Sequence, residues 1–206
     1  GQTPLKAAIK GGCPKVVSYL LKNGAKLKDS KGNDAFDFAC HSGFTSVIRP
    51  FLDEDLVKID MGNWHHFAIV EDTIKKGDIN LLKLLMNNGA RIMPKFRWNV
   101  LISSDEDVVF FPAIASRNKE MVQFLIEQGM INEETNPPDN PLIAIVVRHG
   151  TMEILQMFLD AGVILNKEII ENADLLCLAA RNYSFEIFRF LLTFNPDINE
   201  SEGRKS

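Results

Sequence analysis

A block of fifteen residues recurs six times along this chain of 206 residues. The copies align without gaps at residues 13–27, 44–58, 78–92, 118–132, 151–165 and 184–198. In the third copy, DINLLKLLMNNGARI, apolar residues recur at the spacing of a helix with one broad buried face, and Gly89 follows them. Glycine reaches the left-handed backbone conformation at little steric cost and commonly ends a helix. Because Asp55 and Asn195 fill the place of this glycine in two other copies, the block predicts a buried helix that ends at one fixed place.

A second short helical segment precedes each block. These segments end at Gly12, Gly43, Gly77, Arg117, Gly150 and Tyr183, which lie 31, 34, 40, 33 and 33 residues apart. Small residues recur in the segments, where they would let neighbouring helices approach closely: Ala7, Ala8, Ala39, Ala113, Ala179 and Ala180. The sequence therefore predicts an all-α chain built from repeated helix–turn–helix units.

Three stretches carry recognisable repeat signatures, namely T-P-L, A-A and L-L-x-x-G-A. They are GQTPLKAAIKGGCPKVVSYLLKNGAKL at 1–27, NPLIAIVVRHGTMEILQMFLDAG at 140–162 and LAARNYSFEIFRFLLTFNPDIN at 178–199. This pattern resembles the ankyrin repeat, a unit of about 33 residues. The resemblance implies an ankyrin-repeat solenoid with short β-hairpin or irregular fingers, forming one domain over residues 1–200. The expected repeats are 1–31, 32–65, 66–106, 107–139, 140–172 and 173–200, and residues 201–206 are expected to form a flexible polar tail.

Several repeats depart from the family pattern. The histidine that usually follows T-P-L is expected to be absent everywhere, because Lys6, Asp37 and Ile143 stand at that position. The second, third and fourth repeats lack T-P-L altogether. Such repeats forgo the usual hydrogen bonds of the first helical turn, so we expect irregular fingers there.

The sequence lacks the motifs that catalytic and cofactor-binding proteins use. GGCPKVV has neither the second glycine nor the lysine–serine ending of a P-loop, and there is no glycine-rich dinucleotide fingerprint. WHHF at 64–67 is not expected to bind metal, because adjacent side chains diverge and no further ligand follows at the right spacing. The carboxylates of SSDED at 103–107 lack the spacing of a calcium loop. We therefore expect no enzyme activity, no cofactor, no metal and no small-molecule substrate.

The distribution of charge narrows the classes of partner. The formal net charge is −4, but residues 1–31 carry +6 and the remaining residues carry −10. The lysines of the first repeat either orient a partner electrostatically or form a solvated helix face. Nucleic-acid binding is disfavoured, because the clusters of basic residues lie far apart along a chain that is acidic overall.

Membrane insertion is not expected, because no run approaches the roughly 18 apolar residues of a membrane span. Three widely spaced cysteines give no disulfide framework and favour a reducing compartment. An intracellular, cytoplasmic location follows, with the nucleus and a host-cell cytosol left open.

The resemblance implies a function in binding. Ankyrin-like stacks use finger tips and inner helices as a concave surface, so the leading interpretation is a non-catalytic protein–protein interaction scaffold that binds a partner protein there. One alternative is a regulatory module that docks on another domain of a larger enzyme or channel. The other is a microbial or viral effector that engages a host protein.

Two clusters are candidate partner-binding sites. The connection after Gly89 is enlarged and carries Lys95, Phe96, Arg97 and Trp98, and Trp and Arg are enriched at interface hot spots. Alternatively, Phe96 and Trp98 fold back over the weakly matched fourth repeat. The second cluster, Trp64, His65 and His66, is expected at the preceding finger tip, where it would extend the same aromatic and cationic patch.

A modification site also follows from the resemblance. Ankyrin proteins are substrates of an asparaginyl hydroxylase that prefers a leucine, five residues, an acid, an apolar residue and then asparagine. Asn199 is a candidate, because Leu191, Asp197 and Ile198 precede it at this spacing.

Overall fold

The computed structural model describes residues 3–92, 109–132 and 142–198. The chain forms two compact units, residues 1–92 and residues 93–206. Within the described ranges the secondary structure is helical, and the β pairing there is limited to an antiparallel bridge between Lys28 and Asp34. The prediction of an all-α chain is confirmed.

Unit 1 consists of three helix pairs in two rows. Its helices are α1 (Pro4–Lys10), α2 (Pro14–Lys22), α3 (Ala35–His41), α4 (Arg49–Asp53), α5 (Trp64–Lys76) and α6 (Ile79–Asn87), and a 3₁₀ turn at Thr45–Val47 leads into α4. The first helices α1, α3 and α5 pack side by side, and so do the second helices α2, α4 and α6. The unit is therefore a short solenoid segment in which each pair contacts its neighbours.

Unit 2 follows the same plan. Its described helices are α7 (Phe111–Ala115), α8 (Lys119–Glu127), α9 (Leu142–His149), α10 (Met152–Asp160), α11 (Lys167–Asn172), α12 (Leu175–Arg181) and α13 (Phe185–Leu192). Helices α7, α9 and α12 form one row, and α8, α10 and α13 form the other. Helix α11 packs against α12 and lies in the connection between two pairs, where the sequence predicted only a finger.

The second helices end where the repeated block places its glycine. All six positions have a positive φ: Gly24 (79°), Asp55 (51°), Gly89 (102°), Gly129 (72°), Gly162 (92°) and Asn195 (50°). Aspartate and asparagine are among the few residues other than glycine that tolerate this region. The left-handed helix end expected from the alignment is thus present in every copy of the block.

The apolar stripes of the helices form the core. Leu81, Leu82 and Leu85 of α6 are fully buried, and each such side chain contributes about 1.5–3 kcal/mol relative to an exposed one. Phe36 and Phe51 join the two rows of unit 1 through an edge-to-face contact with ring centroids 5.4 Å apart. The leucines of the repeated block are therefore scaffold.

Helix α5 differs from the predicted arrangement. Trp64, His65 and His66 form its first turn rather than a finger tip, because the side chain of Asn63 accepts a hydrogen bond from the His65 N–H (2.9 Å) and caps the helix. The expected repeat boundary between residues 65 and 66 thus falls inside this helix. His66 stands three residues after its cap, as Lys6 does after its own cap. The expectation that every repeat lacks this histidine is therefore wrong.

Candidate functional site

A groove opens on unit 1 along its first row of helices. It consists of two adjoining cavities of about 690 and 430 Å³, which share Lys6, Phe38 and His41 in their linings. The lining residues come from α1, α3, the first turn of α5 and the two fingers that precede α3 and α5. We call this surface the unit 1 groove.

Asp29 organises the finger at one side of the unit 1 groove. Its carboxylate accepts hydrogen bonds from the backbone N–H groups of Lys31 (2.8 Å) and Asn33 (3.0 Å) and from the Asn33 side chain (2.9 Å). It also pairs with the Lys6 ammonium at 2.8 Å. The Asn33 side chain, followed by Lys6, holds the pKa of the Asp29 carboxyl well below its usual range. The finger is thus tied to α1 through an ionised carboxylate.

At the floor of the groove, Asp37 and His66 form a second polar link. Asp37 Oδ1 accepts a hydrogen bond from Asn63 Nδ2 (2.9 Å) and lies 3.2 Å from His66 Nε2. His66 Nδ1 accepts the backbone N–H of Asp60 (2.9 Å), so its ring proton belongs on Nε2, facing Asp37. The His66 side chain is buried and uses both ring nitrogens in these contacts. It therefore holds the second finger against α3 and α5.

An aromatic cluster lies beside this link. The rings of His41, Trp64 and His65 have centroids 3.8–4.3 Å apart, and His41 Nδ1 lies 3.4 Å from His65 Nδ1. Partial burial disfavours the charged form of His41 and His65 adds like-charge repulsion, so the pKa of His41 lies below its usual value although Asp37 opposes the shift. The cluster thus presents a mainly uncharged His41 imidazole near pH 7.

Two aromatic side chains at the groove remain accessible. Phe38 lines the groove, and 37% of its surface is exposed. Trp64 packs against the rings of His41 and His65, and 50% of its surface is exposed. The Lys6 ammonium lies 5.9 Å from the centre of the Phe38 ring, within reach of a weak cation–π contact. The groove therefore combines apolar contact area with cationic and imidazole groups.

Two kinds of reactive group are relevant to catalysis among the described residues, namely metal ligands and a thiol beside a histidine. Among them, no group of three or more histidine, cysteine, aspartate or glutamate side chains could hold a metal ion. Cys40 adjoins His41 in sequence but is buried in the core, and that burial raises the pKa of its thiol. A protonated, inaccessible thiol is a poor nucleophile.

The structure separates the predicted partner-binding residues. His65 and His66 both line the unit 1 groove, where His66 is buried at its floor, and Trp64 lies beside the groove. The remaining predicted residues, Lys95, Phe96, Arg97 and Trp98, lie outside the described part of the chain, as do Asn199 and residues 201–206.

Phe38 and His41 were not predicted as site residues, although α3 brings both to the groove. The available signal was the cap of α5. Counting from Asn63 rather than from Gly77 aligns the first turn of α5 with that of α3. That alignment places the W-H-H-F motif beside α3, where His41 lies at the end of the helix.

In the part of the chain that the structure describes, no helix combines the length and the apolar character needed to span a bilayer.

Family models agree with the repeat pattern. A model of three ankyrin repeats matches residues 110–202, and a model of a single ankyrin repeat matches residues 1–33.

Two curated relatives align with most of the chain. Phosphocholine transferase AnkX of Legionella pneumophila is 25% identical over 98% of this chain and 23% of its own length. FPV115 of Fowlpox virus, an ankyrin repeat protein by its name, is 29% identical over 73% of this chain and 26% of its own length. The chain thus spans about a quarter of the length of either relative.

Solved structures share the fold. The ankyrin repeat domain of human ASB11 aligns with a TM-score of 0.63 and 13% identity, covering 96% of this chain and 86% of that one. A chain in the complex of the predatory endopeptidase Bd0816 from Bdellovibrio bacteriovorus with immunity protein Bd3460 aligns with a TM-score of 0.61 and 17% identity, covering 93% of this chain and 97% of that one.

Proposed function

Because the chain belongs to the ankyrin-repeat family, whose repeats are generally protein-interaction modules, we propose that it is a non-catalytic scaffold that binds a partner protein through the unit 1 groove. The observation that carries this proposal is the exposure of Phe38 and Trp64 at a groove whose floor is held by polar links. The apolar stripes of the helices are used in the core, whereas these two rings are left accessible.

The fixed geometry of the groove supports a binding role. Lys6 and Asp29 hold the first finger, and Asp37, Asn63 and His66 hold the second. A surface whose side chains are already in place loses less conformational entropy when a partner binds. Large aromatic residues on such a surface are a frequent source of binding energy.

Site-specific cross-linking tests this proposal. A photoreactive amino acid at position 38 should cross-link a partner protein in the cell of origin, and Trp64→Ala in the same chain should reduce the yield. The matched control places the photoreactive group at position 19, because Tyr19 is 68% exposed on α2 and lies outside the groove lining. Equal yields of the same products from positions 38 and 19 would refute the groove as the binding surface.

A second candidate function is favoured by the length of the relatives. AnkX is named a transferase, and this chain matches 23% of it. A regulatory or effector module that docks on another domain of a longer chain, or on a host protein, would fit such an arrangement. In the docking case the cross-link from position 38 maps within the same polypeptide, whereas a scaffold yields a product of higher mass that contains a second protein.

The segment from Lys95 to Trp98 is proposed as a further contact region, since it combines aromatic and basic residues. Affinity capture with the wild-type chain and with Arg97→Ala/Trp98→Ala tests it. A partner lost only from the variant would support the hot spot, and identical recoveries would exclude it.

Two finer points remain proposals. Hydroxylation of Asn199 predicts one added oxygen by mass spectrometry after exposure to an asparaginyl hydroxylase, and no added oxygen would reject it. A cytoplasmic location is supported by the three cysteines, which are widely spaced in the sequence and give no disulfide framework. Recovery of the protein from the cytosolic fraction would support this location, and recovery from an oxidising compartment would contradict it.

A further inference from the structure

The unit 1 groove is lined by charged side chains as well as by an exposed aromatic ring. Resting on the proposed function, we propose that it binds an extended acidic segment of the partner protein. In this arrangement one apolar side chain contacts Phe38, and carboxylates on either side of it reach Lys10 and Lys28. The acidic side chains at the groove are hydrogen-bonded within the protein, whereas the side chains of Lys10 and Lys28 are available to a partner.

The acidic groups at the groove are already engaged within the protein. Asp29 accepts four hydrogen bonds, one of them from Lys6. Asp37 accepts a hydrogen bond from the Asn63 side chain and pairs with His66. Asp34 caps α3, because its side chain accepts a hydrogen bond from the Phe36 N–H (2.7 Å). A basic partner segment would therefore meet few open acceptors, and it would have to compete with these internal contacts.

Two basic groups are open, one in each of the two cavities that Phe38 lines. Lys10 and Lys28 are exposed, and neither has an ion pair or side-chain hydrogen bond with any residue in the ranges described. Phe38 lines both cavities, whereas Lys28 lines only the larger and Lys10 only the smaller. A chain that crosses both cavities thus meets a cation, then the ring, then a second cation.

The charge of the surrounding unit favours the same partner. Residues 1–92 contain thirteen lysine and arginine residues against ten aspartate and glutamate residues, a formal charge of +3. Such a field speeds the approach of an anionic segment and disfavours a cationic one. The carboxylates of Asp34 and Asp37 lie in the larger cavity, so an apolar residue is better placed than an acidic one at the centre.

Labelled peptides test this inference on the intact chain. The probe is a fluorescein-labelled nine-residue peptide with a central leucine, flanked on each side by two glutamates and by glycine at the remaining positions. Two further peptides replace the glutamates by glutamines or by lysines. By fluorescence polarisation at about 150 mM salt, we expect the glutamate peptide to bind about tenfold more tightly than the glutamine peptide, because two surface charge pairs add modestly to affinity. This advantage should shrink as salt is raised.

A matched pair of variants locates the charges. Lys10→Gln/Lys28→Gln should reduce the affinity for the glutamate peptide to that for the glutamine peptide. Lys15→Gln/Lys75→Gln removes the same charge from exposed positions outside the groove lining, and it should retain most of the preference. Equal effects of the two double variants, equal binding of the three peptides, or binding of none of them would overturn the inference.

The outcome is separable from that of the proposed function. If the glutamine or lysine peptide binds best and Phe38→Ala abolishes that binding, the groove is a protein-binding surface but not an acid-selective one. A single-stranded oligonucleotide of equal charge that binds more tightly than the glutamate peptide would assign the open lysines to phosphate instead. Cross-linking from position 38 decides the proposed function independently of all three peptides.

Discussion

The Nε2 atom of His66 lies 3.2 Å from the Oδ1 atom of Asp37, and each residue is the third of its helix. Lys6 has the same place in α1. From this place Lys6 reaches Asp29 in the first finger, and His66 receives the N–H of Asp60 in the second. Three chemically different side chains at one repeated position thus tie the fingers to the first row of helices.

Replacing His66 should destabilise the second finger. His66→Ala removes an acceptor from the Asp60 N–H and a donor from Asp37, and it leaves a cavity at a buried site. We expect the free energy of unfolding to fall by about 2–3 kcal/mol, measured by urea denaturation followed by circular dichroism. His65→Ala is the control, because that ring is partly exposed, and it should cost less than about 1 kcal/mol. Similar losses in both variants would show that the link to Asp60 is not important for stability.

The repeat phase and the helix ends could be predicted from local sequence, because both depend on short-range rules. Asp55 and Asn195 were placed correctly in the glycine position, since apolar periodicity fixes the last helical turn and leaves the next residue to adopt a positive φ. The start of α5 could not be found in this way. Its cap is Asn63 rather than a Thr followed by Pro, so the pattern of Thr3 and Pro4 did not identify it.

The composition of the groove was less predictable, because it depends on contacts between repeats. His41 and His65 are 24 residues apart and meet only when α3 packs against α5. The W-H-H-F motif alone indicated three equivalent surface residues. The fold buries His66 and leaves Trp64 half exposed, since the helical turn directs successive side chains about 100° apart.

Gly89 should be less tolerant of substitution than Gly24. Both have a positive φ, 102° and 79° respectively, so alanine is strained at either position. A β-carbon at Gly89 would also lie 3.2 Å from the carbonyl oxygen of Ile59, whereas one at Gly24 would meet nothing within 4 Å. We expect Gly24→Ala to cost about 1 kcal/mol and Gly89→Ala about 2 kcal/mol or more. Thermal or urea unfolding of the two variants measures the difference, and a smaller loss for Gly89→Ala would contradict the close approach of Ile59.

The three thiols should react at two distinct rates. Cys13 and Cys177 are exposed, whereas Cys40 is buried and its thiol pKa is raised by that burial. In the native protein an excess of Ellman's reagent at pH 8 should therefore modify two thiols per chain rapidly, and the third should react only after denaturation. Cys40→Ala is the control, because it should leave the rapid phase unchanged and abolish the slow one. Rapid reaction of all three thiols in the native chain would place Cys40 at the surface.

Asp29 should contribute a stability that acid removes. Its pKa is held below the usual value by the Asn33 side chain and by Lys6, so the folded chain binds this proton less readily than the unfolded chain. A depressed carboxyl pKa stabilises the fold above the unfolded pKa of about 4, and that stabilisation is lost progressively as the pH falls below it. Asp29→Asn should therefore lower the free energy of unfolding at pH 7, and the gap to wild type should narrow between pH 4 and the acid limit of folding. Urea denaturation at pH 7, 5, 4 and 3 measures this gap, with Asp53→Asn as a control at an exposed position. A gap for Asp29→Asn that stays constant down to pH 3 would mean that the carboxylate and its partners do not hold the first finger in solution.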